Sequence, residues 1–271
     1  MARAIGRLLL EERQPLTCVA SRSSESAIAA AEFLGSGVAA VGYSELPARA
    51  SRILICVADS AVETVAEVVR PGRGILLHTC GAKGPEAVRG TGGGGVSCGA
   101  LHPFQTFSGA GAEAVRGVSF AVAGDAEAVS WAGEIVQLAG GRMLRIRPDA
   151  RPLYHAAAVM ASNYVTSLLA AAQELLAAAG VEPEDILPAL GPLSGTSLEN
   201  ALRCGPAHAL TGPIRRGDSS TVSAHLAALT TMPGVLTDFY RAAGAYTVKV
   251  AMEGGLSKQA AATIGQLLSI E

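Results

Sequence analysis

The chain carries no block of basic residues: 21 Lys and Arg stand against 23 Asp and Glu, a formal net charge of −2 over 271 residues. That balance argues against nucleic acid or an anionic membrane as the main partner, because both call for a concentrated positive patch. No apolar run reaches the roughly 18 residues that a membrane span requires. Leu8-Leu9-Leu10 is too short for the apolar part of a signal peptide and is followed at once by Glu11, Glu12 and Arg13. The five cysteines, Cys18, Cys56, Cys80, Cys98 and Cys204, form no C-x-x-C pair and have no metal-ligand spacing. No metal site is expected from them, and they fit a reducing, cytoplasmic setting without disulfides. G-x-S-x-G, H-E-x-x-H and a Walker loop are all absent, so hydrolase, zinc-protease and NTPase readings have no footing.

What is present is an apolar chain, 49% hydrophobic and long enough for two domains. Apolar positions at Ala2, Ile5, Leu8 and Leu9 have helical spacing, so the sequence opens in a helix. Then come short strand candidates at 16–20 and 38–41, the buried strand Arg52-Ile-Leu-Ile-Cys-Val57, and strands at 74–79, 96–101, 118–123 and 142–146. Helices over 24–34, 61–69 and 125–138 fall between them, and the glycine run at 90–95 reads as a mobile surface loop. Such alternation predicts an α/β, doubly wound, Rossmann-like parallel sheet over residues 1–148. The Pro-rich link at 147–152 leads into an all-helical domain over 149–271, with substrate-binding or dimerisation as its role.

The stretch from Leu153 to Gly180 is apolar almost all the way round, which predicts one long helix buried between others. On it His155, Ser162, Thr166 and Gln173 fall within about 20° of one line, and Asn163 stands roughly 80° away. Ser162 and Thr166 can satisfy themselves by bonding back to the preceding turn. The alternative is that the polar stripe lines an aqueous cleft, with His155 and Asn163 about 12 Å apart along the axis and flanking a small ligand.

In a dinucleotide fold the first strand runs into G-x-G-x-x-G/A, whose glycines admit the pyrophosphate to a helix N-terminus. Here only a helix precedes the second strand. With Ala2 as the last position of that fingerprint, the first strand and its glycines lie upstream of Met1; the other explanation is a reduced domain that has lost dinucleotide affinity. Ser21-Arg22-Ser23 ends the second strand. A guanidinium with hydroxyls there suits a 2′-phosphate, favouring NADP over NAD, while a solvated turn and a serine helix cap explain the serines equally. Ala58-Asp59 and His78-Thr79 stand at strand ends where such sheets bind ligands, Asp59 also reading as a helix cap. His102, in Leu101-His102-Pro103-Phe104, ends another strand and is a substrate-site candidate. In the helical half Arg216 is a carboxylate clamp or a solvated cation, Asp218 a ligand or a cap, and His225 lies one turn beyond Thr221.

Six segments carry a resemblance: VASRS (19–23), CVADS (56–60), LHTCG (77–81), LHPFQTF (101–107), YHAAAVMASNY (154–164) and LTGPIRRGDSSTVSAHL (210–226). With these the chain resembles the predicted NADP-dependent oxidoreductases that join a Rossmann-like domain to a helical domain of unknown function. That group is similar to pyrroline-5-carboxylate reductase, ketopantoate reductase and coenzyme F420-dependent NADP reductase, its helical part resembling the C-terminal domain of phosphogluconate dehydrogenase. The resemblance implies NADP in an interdomain cleft, a small carbonyl or imine substrate and a homodimer formed through the helical domains. Relatives acting on hydroxy acids carry a lysine one turn before the cleft asparagine; if that is Asn163, the position holds Val159, and His155 becomes the replacement acid or base. The rival class is a non-catalytic dinucleotide-sensing or assembly protein.

Overall fold

A computed structural model describes residues 1–35, 37–90, 95–107 and 111–269, and the chain divides into two compact units, Met1–Tyr164 and Val165–Glu271. Most of the glycine run, residues 91–94, lies outside the described residues.

The first unit runs α1 (Ala2–Glu11), β1 (Cys18–Ala20), α2 (Ser24–Leu34), β2 (Ala39–Val41), α3 (Leu46–Arg49), β3 (Arg52–Ile55), α4 (Val62–Val69), β4 (Gly74–His78), β5 (Val96–Pro103), β6 (Ser119–Gly124), α5 (Ala126–Leu138), β7 (Arg142–Leu144) and α6 (Arg151–Ala161). Its sheet is in two pieces: a parallel pair β1-β2 and a five-stranded sheet in the order β3-β4-β5-β6-β7. Pleating sends alternate side chains of β4 to opposite faces. Ile75 and Leu77 pack with Ile5, Leu8, Leu101 and Ile135 under α1 and α5, whereas Leu76 packs with Ile53, Ile55, Val62 and Val69 under α4. A core of that kind stabilises by roughly 1.5–3 kcal/mol for each large aliphatic side chain buried.

The sheet is mixed rather than wholly parallel, because β6 runs antiparallel to β5. Only a short 3-10 turn, Ala112–Ala114, is described between them, and a parallel return needs a longer crossover. The remaining pairs, β3-β4, β4-β5 and β6-β7, are parallel, so the fold is Rossmann-like.

The second unit is all helical. α7 (Asn163–Ala178) leads into it and is followed by α8 (Pro183–Cys204), α9 (Pro206–Ala209), α10 (Gly212–Arg216), α11 (Ser219–Leu229), α12 (Gly234–Glu253) and α13 (Lys258–Leu267). Ile214, Val222, Val248, Ala251, Ile264 and Leu268 form its core. No helix among the described residues is long and apolar enough to cross a membrane.

The single helix expected from Leu153 to Gly180 is two helices. Ser162, at φ −126° and ψ −74°, breaks the winding between α6 and α7. The phase counted from His155 therefore stops at the break and does not carry to Thr166 or Gln173. Nor is the stretch buried: α7 has no buried residue, and Leu153 is 72% exposed and Leu168 50%.

Candidate active site

Parallel strands deliver their carboxyl ends to one edge of the sheet, and the loops leaving those ends are tied together by buried polar groups. Thr79, just past β4, donates to the Ile55 carbonyl through both its N–H (3.0 Å) and its hydroxyl (3.3 Å), locking the ends of β3 and β4 together. His78 is fully buried; its Nε2 lies 2.8 Å from the Gly84 carbonyl and its Nδ1 accepts the Cys80 N–H at 3.2 Å. Those two bonds require the neutral Nε2–H tautomer, and burial is the main reason its pKa lies below the ordinary imidazole range. His78 thus shapes the 79–84 loop from inside.

Asp59 does not cap α4, whose N-cap is Ala61 without a side-chain bond. It opens a 3-10 turn instead, and burial, followed by the nearby Asp59 carboxylate, pushes the Cys80 thiol above its usual pKa. Next to Cys80 stands Gly81, where a Cβ would come within 2.7 Å of His102 Nε2. Only glycine leaves room for the His102 ring against this loop.

His102 Nδ1 and the Tyr154 hydroxyl are 2.6 Å apart, with the rings edge to face at 87°. Burial, followed by the charge at His155, pushes His102 down to about 4, while burial pushes the Tyr154 phenol up to about 12. Near neutrality both are uncharged, and the ring's tautomer sets the direction: the phenol donates to a bare Nδ1, or an Nδ1–H donates to the phenol oxygen. Phe104 packs on Tyr154 at 5.3 Å between centroids, and the His155 ring lies 6.4 Å from that of His102. Thr106 and Ser162 share a 2.6 Å hydroxyl bond that fastens the strand-end loop to the end of α6. Beneath this cluster Arg151 is 6% exposed, its Nη1 has no hydrogen-bond partner among the described residues, and its charge further lowers both His78 and His102. Two imidazoles and a phenol side by side, all half-buried, make a group able to hold and pass a proton at the strand ends.

The structure therefore brings His78, Thr79, Asp59, His102 and His155 to one edge. Ala58 is exposed beside Asp59, and Asn163 is an exposed residue beyond the break, opening α7. At the end of β1, Ser21 is half-buried and Arg22 exposed, while Ser23 caps α2 by accepting the Ser26 N–H at 3.3 Å. Ala2 begins α1, whose cap, Met1, makes no side-chain bond. For a dinucleotide the fit is divided. Arg22 and Ser21 suit the ribose-phosphate end, but no glycine turn stands among the described residues to cradle a pyrophosphate at α1.

In the second unit Asp218 caps α11, accepting from the Thr221 N–H (3.0 Å) and hydroxyl (2.6 Å) and from Ser220 (2.7 Å). These bonds hold its carboxyl down at about 2. Arg216 ends α10 exposed, and His225 Nδ1 lies 2.8 Å from the Tyr240 hydroxyl.

Tyr154 and Arg151 were missed by the sequence reading. Tyr154 stands inside a quoted motif, yet a tyrosine among alanines reads as packing. Its partner is 52 positions away, a separation no local pattern encodes.

A family model described as a domain of unknown function (DUF2520) matches residues 118–247. Among solved structures, the chain is similar to protein TM1727 from Thermotoga maritima at 24% identity, covering 93% of this chain and 96% of that one with a TM-score of 0.76. It is also similar to BF3122 from Bacteroides fragilis, provisionally named an NADP oxidoreductase (20% identity, 98% and 94% covered, TM-score 0.68). A third likeness is to 1-pyrroline-5-carboxylate reductase from Streptococcus pyogenes (16% identity, 99% and 93% covered, TM-score 0.61). At such identities the likeness establishes a shared fold. Among curated proteins, none matches this chain.

Proposed function

We propose that the chain is an NADP-dependent oxidoreductase acting on a small polar carbonyl or imine. Residues 1–148 would take the dinucleotide and 149–271 would serve substrate binding and dimerisation. The observation that carries this reading is the His102–Tyr154 bond of 2.6 Å beside His155, at the carboxyl ends of the parallel strands. The names of two solved neighbours, an NADP oxidoreductase and a pyrroline carboxylate reductase, point the same way. NADP, when bound, would supply or take the hydride. The chain's own part is the proton and the orientation. His155 exchanges a proton with the substrate oxygen or nitrogen, Tyr154 orients His102, and burial, with a smaller part from the Arg151 charge, keeps His78 and His102 neutral. Asn163 holds a polar substrate atom and Arg22 the 2′-phosphate.

The test is NADPH oxidation by the full chain with a panel of small ketones, aldehydes and cyclic imines. His155→Ala is expected to lower kcat about 10²–10⁴-fold, the usual worth of a positioned acid or base. Full turnover in that variant removes the histidine from the mechanism.

A second reading, a non-catalytic dinucleotide-sensing or assembly protein, is favoured by Val159 at a position suited to an acid and by the divided sheet. NADPH binding without turnover on any of the panel would select it. Both readings include a homodimer. Leu187, Leu193, Leu198 and Leu202 on α8 are 61%, 67%, 52% and 79% exposed, a density of bare leucine that a second copy would cover. Sedimentation equilibrium is expected to give twice the chain mass, and a monomer at micromolar concentration would count against it.

A further inference from the structure

One face of α6 carries hydrocarbon where a polar ligand would need polar partners. Pro152, His155, Ala156, Val159 and Met160 recur at the three- and four-residue spacing that puts side chains on one side of a helix, and together they line an open pocket of about 460 Å³. That volume is within the range of small-molecule sites. Ala82 lines the pocket from the loop after β4, and Tyr164 from the first turn of α7. The Ala82 side is fixed in place, because buried His78 ties that loop through the Gly84 carbonyl and the Cys80 N–H. Met160 is 57% exposed and Tyr164 51%. Among the described residues no Lys, Arg, Asp or Glu lines the pocket. The His155 imidazole lies edge to face with the His102 ring at 70° and makes no hydrogen bond among the described residues. A single directional polar group in an apolar wall suits a ligand with one polar end and hydrocarbon beyond it. A carboxylate seated against Val159 and Met160 would lose its water with no cation to replace it.

We propose that this face of α6 is a specificity pocket for a hydrocarbon substituent. The substrate is a neutral ketone or imine whose C=O or C=N meets His155 and whose alkyl chain or ring lies along Ala156, Val159 and Met160; an oxo or imino acid is refused. Met160 stands about 7.5 Å beyond His155 along the axis, so the substituent spans several carbons. The reaction named here rests on the proposed function; the pocket's preference for an apolar ligand does not.

The experiment follows NADPH-dependent reduction of 2-butanone, 2-heptanone and 4-oxopentanoate by the full chain. Binding of the same three, with NADP⁺ present, is read on protein labelled with ¹³C-methyl methionine, where Met160 is one of five signals and is assigned by its loss in Met160→Leu. Each methylene taken fully out of water is worth about fourfold, so kcat/KM is expected to rise about tenfold or more from 2-butanone to 2-heptanone, with 4-oxopentanoate below both. Met160→Gln is expected to cut the heptanone-to-butanone ratio about fivefold, and Met160→Leu to preserve it. 2-Heptanone is expected to shift the Met160 methyl signal and to leave that of Met143, which does not line the pocket, in place. A ketone-dependent Met160 shift without turnover keeps the pocket and removes the oxidoreductase reading. Turnover with equal kcat/KM for the three compounds, or faster turnover of the oxo acid, overturns the pocket. So does a Met160 signal that none of the three moves, or one that follows protein concentration instead, the mark of a second copy covering the face.

Discussion

At the scale of single residues, the account turns on burial setting protonation. His102 and His78 both titrate below the ordinary imidazole range in the folded chain, burial being the first cause for each. Between an unfolded imidazole's pKa of about 6.5 and the folded His102 value of about 4, the unfolded chain binds protons that the folded chain does not. Stability is therefore expected to fall as pH drops through that window, by on the order of 1–3 kcal/mol, and the His102 part of the loss to level off below it. Urea unfolding at pH 7 and pH 4.5 checks this, with a shallower pH dependence expected in His102→Gln. An unchanged slope in that variant would mean that the ring is solvated. The sequence marked His102 and His155 because each stood at an element's end or on a polar stripe. It gave no reason for Tyr154 or Arg151, since an aromatic or a cation on a helix acquires its meaning from what packs against it.

At the scale of elements, local rules located the strands well because apolar runs bounded by turn residues are strong signals. Arg52–Ile55 and Gly74–His78 fall within the expected stretches. Local rules failed where a long-range contact decides. The Thr106–Ser162 bond stands at the break between α6 and α7, and the helical periodicity of the apolar stretch does not register it. Asp59 opens a separate 3-10 turn instead of capping the helix it precedes. The Ser21-Arg22-Ser23 turn separates structural from ligand roles by mutation. Ser23→Ala removes the α2 cap and is expected to cost about 1 kcal/mol of stability in urea unfolding. Arg22→Ala, exposed and outside the helix, is expected to leave stability unchanged and to weaken NADPH about tenfold more than NADH in a binding titration. Equal weakening of the two cofactors would remove the 2′-phosphate role.

At the scale of the whole molecule, the class of fold was legible because strand and helix periods alternate through the first half and only the helical period persists in the second. The division of the sheet into β1-β2 and β3-β4-β5-β6-β7 was not legible, because strand pairing is set between residues far apart in sequence. The measurement that tests the central claim most directly is calorimetric titration of NADPH and NADH into the full chain and its Arg22→Ala variant. The account predicts saturable binding of NADPH, tighter than NADH and weakened by Arg22→Ala. No heat of binding from either cofactor would contradict it.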